Sequence, residues 1–239
     1  MKKNLLSWLT IAMMATVCVG FSACSSNDDD DEEEGGGGGS APGIVEAVDL
    51  GLPSGTKWAN MNVGASKASE YGTYFCWGET SGKEYYSSKN YKWRDNTTDE
   101  YTKYDDNNPT LEAADDAATA NWGSSWCMPT ETQLRELIAN CTWTWTTENN
   151  IPGYMVSGSN GKSIFLPAGG HRTDGNATTA EEAPKEIDSL NEDCEYWTAS
   201  LRLGKSKPSQ AIDLEAKEGK TKTDSQKRDC GLLVRPVKK

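Results

Sequence analysis

Apolar positions along this chain fall into three patterns. The first is a solid block: residues 5–21 are apolar apart from Ser7, Thr10 and Thr16, and Lys2 and Lys3 stand before them. That is the layout of an export signal, and the block is short for a transmembrane helix, which needs about 20 apolar residues. The second is a helical stripe. Leu134, Leu137, Ile138 and Cys141 recur at i, i+3, i+4 and i+7, behind Pro129 and a capping box made by Thr130 and Gln133. A shorter helix is predicted over 111–120 on the strength of its alanines.

The third pattern is a series of short strands, predicted at 57–62, 73–78, 142–147, 154–157, 163–166, 195–201, 210–216 and 231–237, each rich in aromatic or β-branched residues or bounded by Gly, Pro or Asn. Asn160-Gly161 reads as a hairpin turn, since both residues tolerate positive φ. Strict alternation in 142–146 places Trp143 and Trp145 on one face. Two polar stretches, 83–108 and 173–193, read as long loops. The fold class that results is α+β, in one domain over residues 44–239.

The apolar block ends in Phe21-Ser22-Ala23-Cys24, which resembles a lipobox. Residues 1–23 are therefore expected to be a lipoprotein signal peptide, with lipid on Cys24. After it come seven consecutive acids at 28–34 and then Gly35 to Gly39. Like charges repel and glycines maximise chain entropy, so 24–43 is expected to be a disordered tether, spanning roughly 25 Å as a coil. Serine after Cys24 resembles outer-membrane lipoproteins, and the acidic run resembles the surface-export signal of Bacteroidetes lipoproteins. The resemblance implies an outer-membrane, lipid-anchored protein exposed at the cell surface; the alternative is a solubilising spacer facing the periplasm.

The net charge is −12, and seven of the 36 acids sit in the tether. A mildly acidic domain without a basic cluster is a poor partner for nucleic acid. One histidine, His171, rules out multi-histidine metal sites, and the cysteines have no CxxC spacing, so neither a metal nor a cofactor is expected. Beyond the lipidated position, Cys76, Cys127, Cys141, Cys194 and Cys230 remain. An odd count leaves at least one thiol free; the rest either pair as disulfides or pack as small hydrophobes.

Several phrases in order carry a resemblance to a known family: Val48-Asp49-Leu50-Gly51-Leu52-Pro53-Ser54-Gly55-Thr56-Lys57-Trp58-Ala59, Asn62-Val63-Gly64-Ala65, Tyr71-Gly72-Thr73-Tyr74-Phe75 with Trp77-Gly78-Glu79, Met128-Pro129-Thr130, Phe165-Leu166-Pro167-Ala168-Gly169, Tyr196-Trp197-Thr198-Ala199-Ser200 and Val234-Arg235-Pro236-Val237. The set resembles the Fibrobacter succinogenes major paralogous domain, related to DUF1566 proteins, over most of residues 47–237. The resemblance implies a C-type-lectin-like fold, with two helices packed on small antiparallel sheets and the N- and C-terminal strands adjacent. Members of that wider fold bind sugars, proteins or other ligands through a long loop region.

The function expected is therefore non-catalytic binding or adhesion to an extracellular glycan or protein. The candidate ligand contacts are Tyr85, Tyr86, Tyr91, Trp93, Tyr101 and Tyr104 of the 83–108 loop, because flat rings beside Asp and Asn stack on sugar faces. The competing reading is a loop whose rings cover its own base. An assembly subunit of a surface complex is a second possibility. A third follows from the formylglycine-generating enzyme, which shares the fold and works through a cysteine pair; no nucleophile, base and orienting group can be named here to support it. The Glu-Pro-Asn and Gln-Pro-Asp tripeptides of calcium-dependent lectins are absent. Asp188-Ser189-Leu190 resembles an O-glycosylation motif of exported Bacteroidetes proteins, which makes Ser189 a candidate.

Overall fold

The capping box predicted at Thr130 forms in the computed structural model, which describes residues 44–204 and 208–239. Thr130 Oγ1 accepts from Gln133 N at 3.3 Å, and the Gln133 side chain accepts from Thr130 N at 2.9 Å. The helix that follows, α2 (Glu131–Asn140), buries Leu134 and Leu137, each worth about 1.5–3 kcal/mol. The alanine-rich stretch before it does not form one helix. A 3-10 turn (Ala113–Asp115) precedes α1 (Ala117–Trp122), and the two are divided at Asp116, whose extended backbone and side-chain bond to Thr119 N make it an N-cap. Capping competes with helix continuation, and here capping wins.

Among the described residues, four antiparallel sheets complete an α+β fold. The first contains β1 (Ala47–Asp49), β2 (Lys57–Ala59), β5 (Trp126–Cys127) and β12 (Val237–Lys238) in the order β1-β2-β12-β5. The C-terminal strand thus lies against an N-terminal one. The pair β3 (Arg94–Asp95) and β4 (Glu100–Tyr101) is a small ribbon inside the first long loop. The third sheet is a meander of β6 (Thr142–Glu148), β7 (Ile151–Ser157) and β8 (Ser163–Pro167). Trp143 and Trp145 share a face there, and both make edge-on contacts with Tyr154 of β7, at 5.4 and 5.0 Å between ring centres. The turn joining β7 to β8 uses Gly161 at φ +80°, while Asn160 stays at negative φ.

The fourth sheet runs β11-β10-β9, from β9 (Asp193–Leu201), β10 (Gln210–Lys217) and β11 (Lys220–Lys227). Its register shifts between Ala211 and Asp213. β11 carries no apolar side chain in Lys-Thr-Lys-Thr-Asp-Ser-Gln-Lys, so hydrophobic patterning could not find it. Two expected strands are reduced: 73–78 and 231–237 meet through an isolated bridge, Phe75 to Leu232, with only Val237 and its neighbour in a named strand.

The core has two main bodies. One gathers Trp58, Leu134, Leu137, Tyr154, Leu166, Tyr196 and Leu214; the other gathers Phe75, Trp77, Met128, Trp197, Leu232 and Val234. Arg235 is buried and spans three segments, donating to Asn62 Oδ1 at 2.7 Å, the Ala59 carbonyl at 3.1 Å and the Phe165 carbonyl at 2.8 Å. Burial lowers its pKa, because the interior disfavours charge. Among the described residues no helix is long and apolar enough to cross a membrane. The expected signal peptide, Cys24 and the tether lie outside the described residues.

Candidate functional site

The aromatic loop is built around a buried cation. Arg228 is 0 % exposed. Its Nε donates to Tyr91 Oη at 3.1 Å, its Nη2 to the Lys103 carbonyl at 2.7 Å, and its Nη1 to the carbonyls of Pro208 and Tyr104 at 3.2 and 3.4 Å. The guanidinium carbon lies 4.7 Å from the ring centre of Tyr101, 5.0 Å from Trp77, 5.6 Å from Tyr91 and 6.0 Å from Tyr104. No carboxylate among the described residues pairs with it. Ring faces and carbonyl oxygens supply the negative potential instead, which is worth most where water is excluded.

That arrangement decides where three of the six aromatic candidates go, Tyr91, Tyr101 and Tyr104. Tyr86, Tyr91 and Tyr104 are 2 %, 2 % and 5 % exposed. Their hydroxyls donate inward: Tyr86 to the Tyr74 carbonyl at 2.8 Å, Tyr91 to the Trp77 carbonyl at 2.6 Å and Tyr104 to Asp115 Oδ2 at 2.6 Å. These three are core residues with no ring face left for a ligand, which corrects the expectation for them. For Tyr91 and Tyr104 the cause is Arg228, distant in sequence, whose burial requires such rings; Tyr86 lies instead under the Arg172 guanidinium. Tyr85, Trp93 and Tyr101 are half-buried. Trp93 donates Nε1 to the Gly78 carbonyl at 2.9 Å and has the ammoniums of Lys92 and Lys103 at 4.2 and 5.0 Å from its ring. Both lysines bond to buried Asp115, at 3.1 and 2.6 Å. Burial raises that carboxyl's pKa, but the hydrogen bonds from Lys103, Tyr104 and Lys92 outweigh it and leave the pKa lowered.

The second long loop is stitched to the first. Tyr85 Oη donates to the Thr178 carbonyl at 2.9 Å, Ser87 Oγ to the Gly175 carbonyl at 3.2 Å and Asp174 N to the Tyr86 carbonyl at 2.7 Å; Tyr86 N returns a short bond to Asp174 Oδ2. A cleft of about 710 Å³ opens where they meet, lined by Glu84 of the first loop, Arg172 at the root of the second, and Ala180, Glu181, Ala183, Pro184 and Lys185 beyond it. Arg172 lies 4.9 Å over the Tyr86 ring, and its Nη2 donates to the Glu84 carbonyl at 3.2 Å. Two buried atoms at this junction have no partner, Arg172 Nε and Asp174 Oδ1. Two cations and two carboxylates around small apolar side chains suit a ligand rich in hydroxyls or amides better than one of a single charge. In sequence His171-Arg172, closing a strand-like run after Ala168-Gly169-Gly170, reads as a structural hydrogen-bonding corner rather than a site, and nothing in a polar loop's composition singles out Lys185.

The root of the second loop is a tight corner. A Cβ on Gly170, at φ +55°, would overlap the Asp188 carbonyl. Ser189 is half-buried at φ +55°, next to exposed Asp188. All five described cysteines are free; Cys76, Cys194 and Cys230 are buried, Cys127 and Cys141 half-buried. Burial is the main cause of a raised pKa at each, carrying Cys230 to about 12. They are neutral thiols near pH 7, and a neutral thiol is a weak nucleophile. No group of three His, Cys, Asp or Glu side chains among the described residues is placed to hold a metal ion. Compared with protein-family models, curated proteins and solved structures, the chain matches none of them.

Proposed function

We propose that this protein is a lipid-anchored binding module of the outer-membrane surface, with a C-type-lectin-like fold that presents its two long loops to an extracellular glycan or protein. The observation that carries the reading is the junction of those loops. Bonds between them preform a mixed-charge cleft on a sheet scaffold, and a preformed site avoids the entropic cost of ordering loops on binding. The lipobox-like Cys24 and the acidic tether support surface display, and the family-like phrases support the fold.

Glu181 and Lys185 are exposed in the cleft, so Lys185→Ala and Glu181→Gln should leave folding intact. Each is expected to weaken binding on a glycan array, or to a captured surface protein, by roughly 5–50-fold, the loss of one polar contact. Full binding by the double variant would remove the cleft from the function. Labelling intact cells with an antibody to the domain tests display, and an inward-facing domain would reject an exterior ligand. Cys24→Ser should abolish envelope association; normal processing and pelleting of that variant would remove the anchor.

A further inference from the structure

His171, the single histidine, stands at the root of the second loop and is tied to that loop twice. Its backbone exchanges two hydrogen bonds with Asp188, at 3.0 and 2.9 Å, closing the 173–187 segment into a loop with a shared stem. Its side chain joins Nδ1 to Glu195 Oε1 at 2.8 Å and sets Nε2 3.7 Å from Asp188 Oδ2. Diagonal to Glu195 on the neighbouring strand is Asp213, which is 2 % exposed and has one carboxyl oxygen buried without any partner.

The sheet register explains the crowding. Glu195 of β9 faces Glu215 of β10, which faces Lys222 of β11; one step along, Asp213 of β10 faces Asp224 of β11. Carboxylates directly opposite or diagonal on one sheet face repel. The cations on this face are already engaged, Lys217 with Asp193 at 3.1 Å and Glu215 at 3.6 Å, and Lys222 with Glu215 at 2.9 Å and with Asp224. The neighbouring segments contribute Tyr74 and Cys230, each close enough to Glu195 to feel its charge, and both neutral near pH 7. An isolated buried carboxylate is costly enough that such a group takes up a proton instead.

We propose that His171, Glu195 and Asp213 form a proton-operated latch on the second loop, which holds residues 173–190 shut while the cluster is protonated and frees them as it loses protons. With His171 charged, Glu195 ionised and Asp213 neutral, the trio carries no net charge. Removing both protons leaves two buried negative charges beside exposed Asp188, and the side-chain tie between His171 and the loop becomes a neutral contact.

The titration agrees in sign. Burial, then Glu195, Asp224 and Glu215, push Asp213 up to about 8. At His171 burial opposes the charge, but the Glu195 hydrogen bond and the charges of Glu195, Asp188 and Asp213 outweigh it, so its pKa is raised above 6.5. A group whose pKa is raised by folding stabilises fully below its unfolded value, and that stability is lost as pH rises through the folded value. Both groups therefore stabilise in acid the folded arrangement that holds the loop's stem, and Asp213's share is lost by about pH 8. A consequence for the cleft rests on the binding reading, but the latch itself does not.

The test uses hydrogen exchange on the full chain in detergent without ligand, corrected for intrinsic exchange, at about pH 5.5 and about pH 8.5. Protection of 173–190 is expected to fall about tenfold between them while α2 changes less than about twofold, and Asp213→Asn should abolish most of that fall. Equal change in both segments, or an undiminished fall in the variant, overturns the latch. Should Asp213→Asn not fold, carbon-detected titration of the Asp213 carboxyl in the unaltered chain decides: a midpoint near 8 supports the proposal and one below about 5 overturns it.

Discussion

The two long loops solve the same problem by opposite means. The 83–108 loop encloses Arg228, whose aromatic cage leaves no vacancy for a ligand. The 173–193 loop has few large side chains and is held by its stem, its bonds to the first loop, and carboxyl and imidazole groups whose charge depends on pH. Aromatic richness in a loop is therefore weak evidence for a binding surface when the chain also has an arginine to bury. The plainer loop supplies most of the cleft lining.

The contrast can be broken most forcefully at the cage. Arg228→Met leaves three backbone carbonyls and Tyr91 Oη without their donor, and the expected loss is about 3–5 kcal/mol in urea unfolding, with exchange protection lost first in 83–108. A loss below about 1 kcal/mol would mean that the rings pack equally well without the cation. At the seam, Asp174→Ala removes the acceptor for Tyr86 N and should cost about 1–3 kcal/mol while raising exchange in both loops. If only the second loop responds, the first does not depend on the seam. Tyr85→Phe deletes one solvent-facing bond to Thr178 and should cost less than about 1 kcal/mol, seen as faster exchange around Thr178 alone.

The parts of this fold that sequence made legible are those where neighbours along the chain settle the matter. Thr130 and Gln133 are three residues apart and bond each other, so the start of α2 could be read directly. Alternation put Trp143 and Trp145 on one face of β6, as found. Long-range wiring was not readable. The cage depends on Arg228 meeting Tyr91 and Tyr101 across more than a hundred residues, and β11 is held by its ladder to β10 with no apolar side chain to announce it. The 111–120 stretch failed for a local reason with a tertiary source: Asp116 accepts from Met128 N at 2.9 Å as well as from Thr119 N, so it caps and anchors rather than continuing a helix. The loop cleft was invisible because its lining comes from both polar stretches at once.

Five unoxidised cysteines shape how this domain behaves when it is damaged. Folded, they are shielded, three of them buried and two half-buried. Once heat or denaturant opens the chain, all five meet solvent together, and in an oxidising medium they can cross-link in the wrong combinations or between molecules. Heating should therefore be reversible with a reductant present and irreversible in air. The same shielding that protects the native thiols makes an unfolding event in an oxidising medium hard to undo.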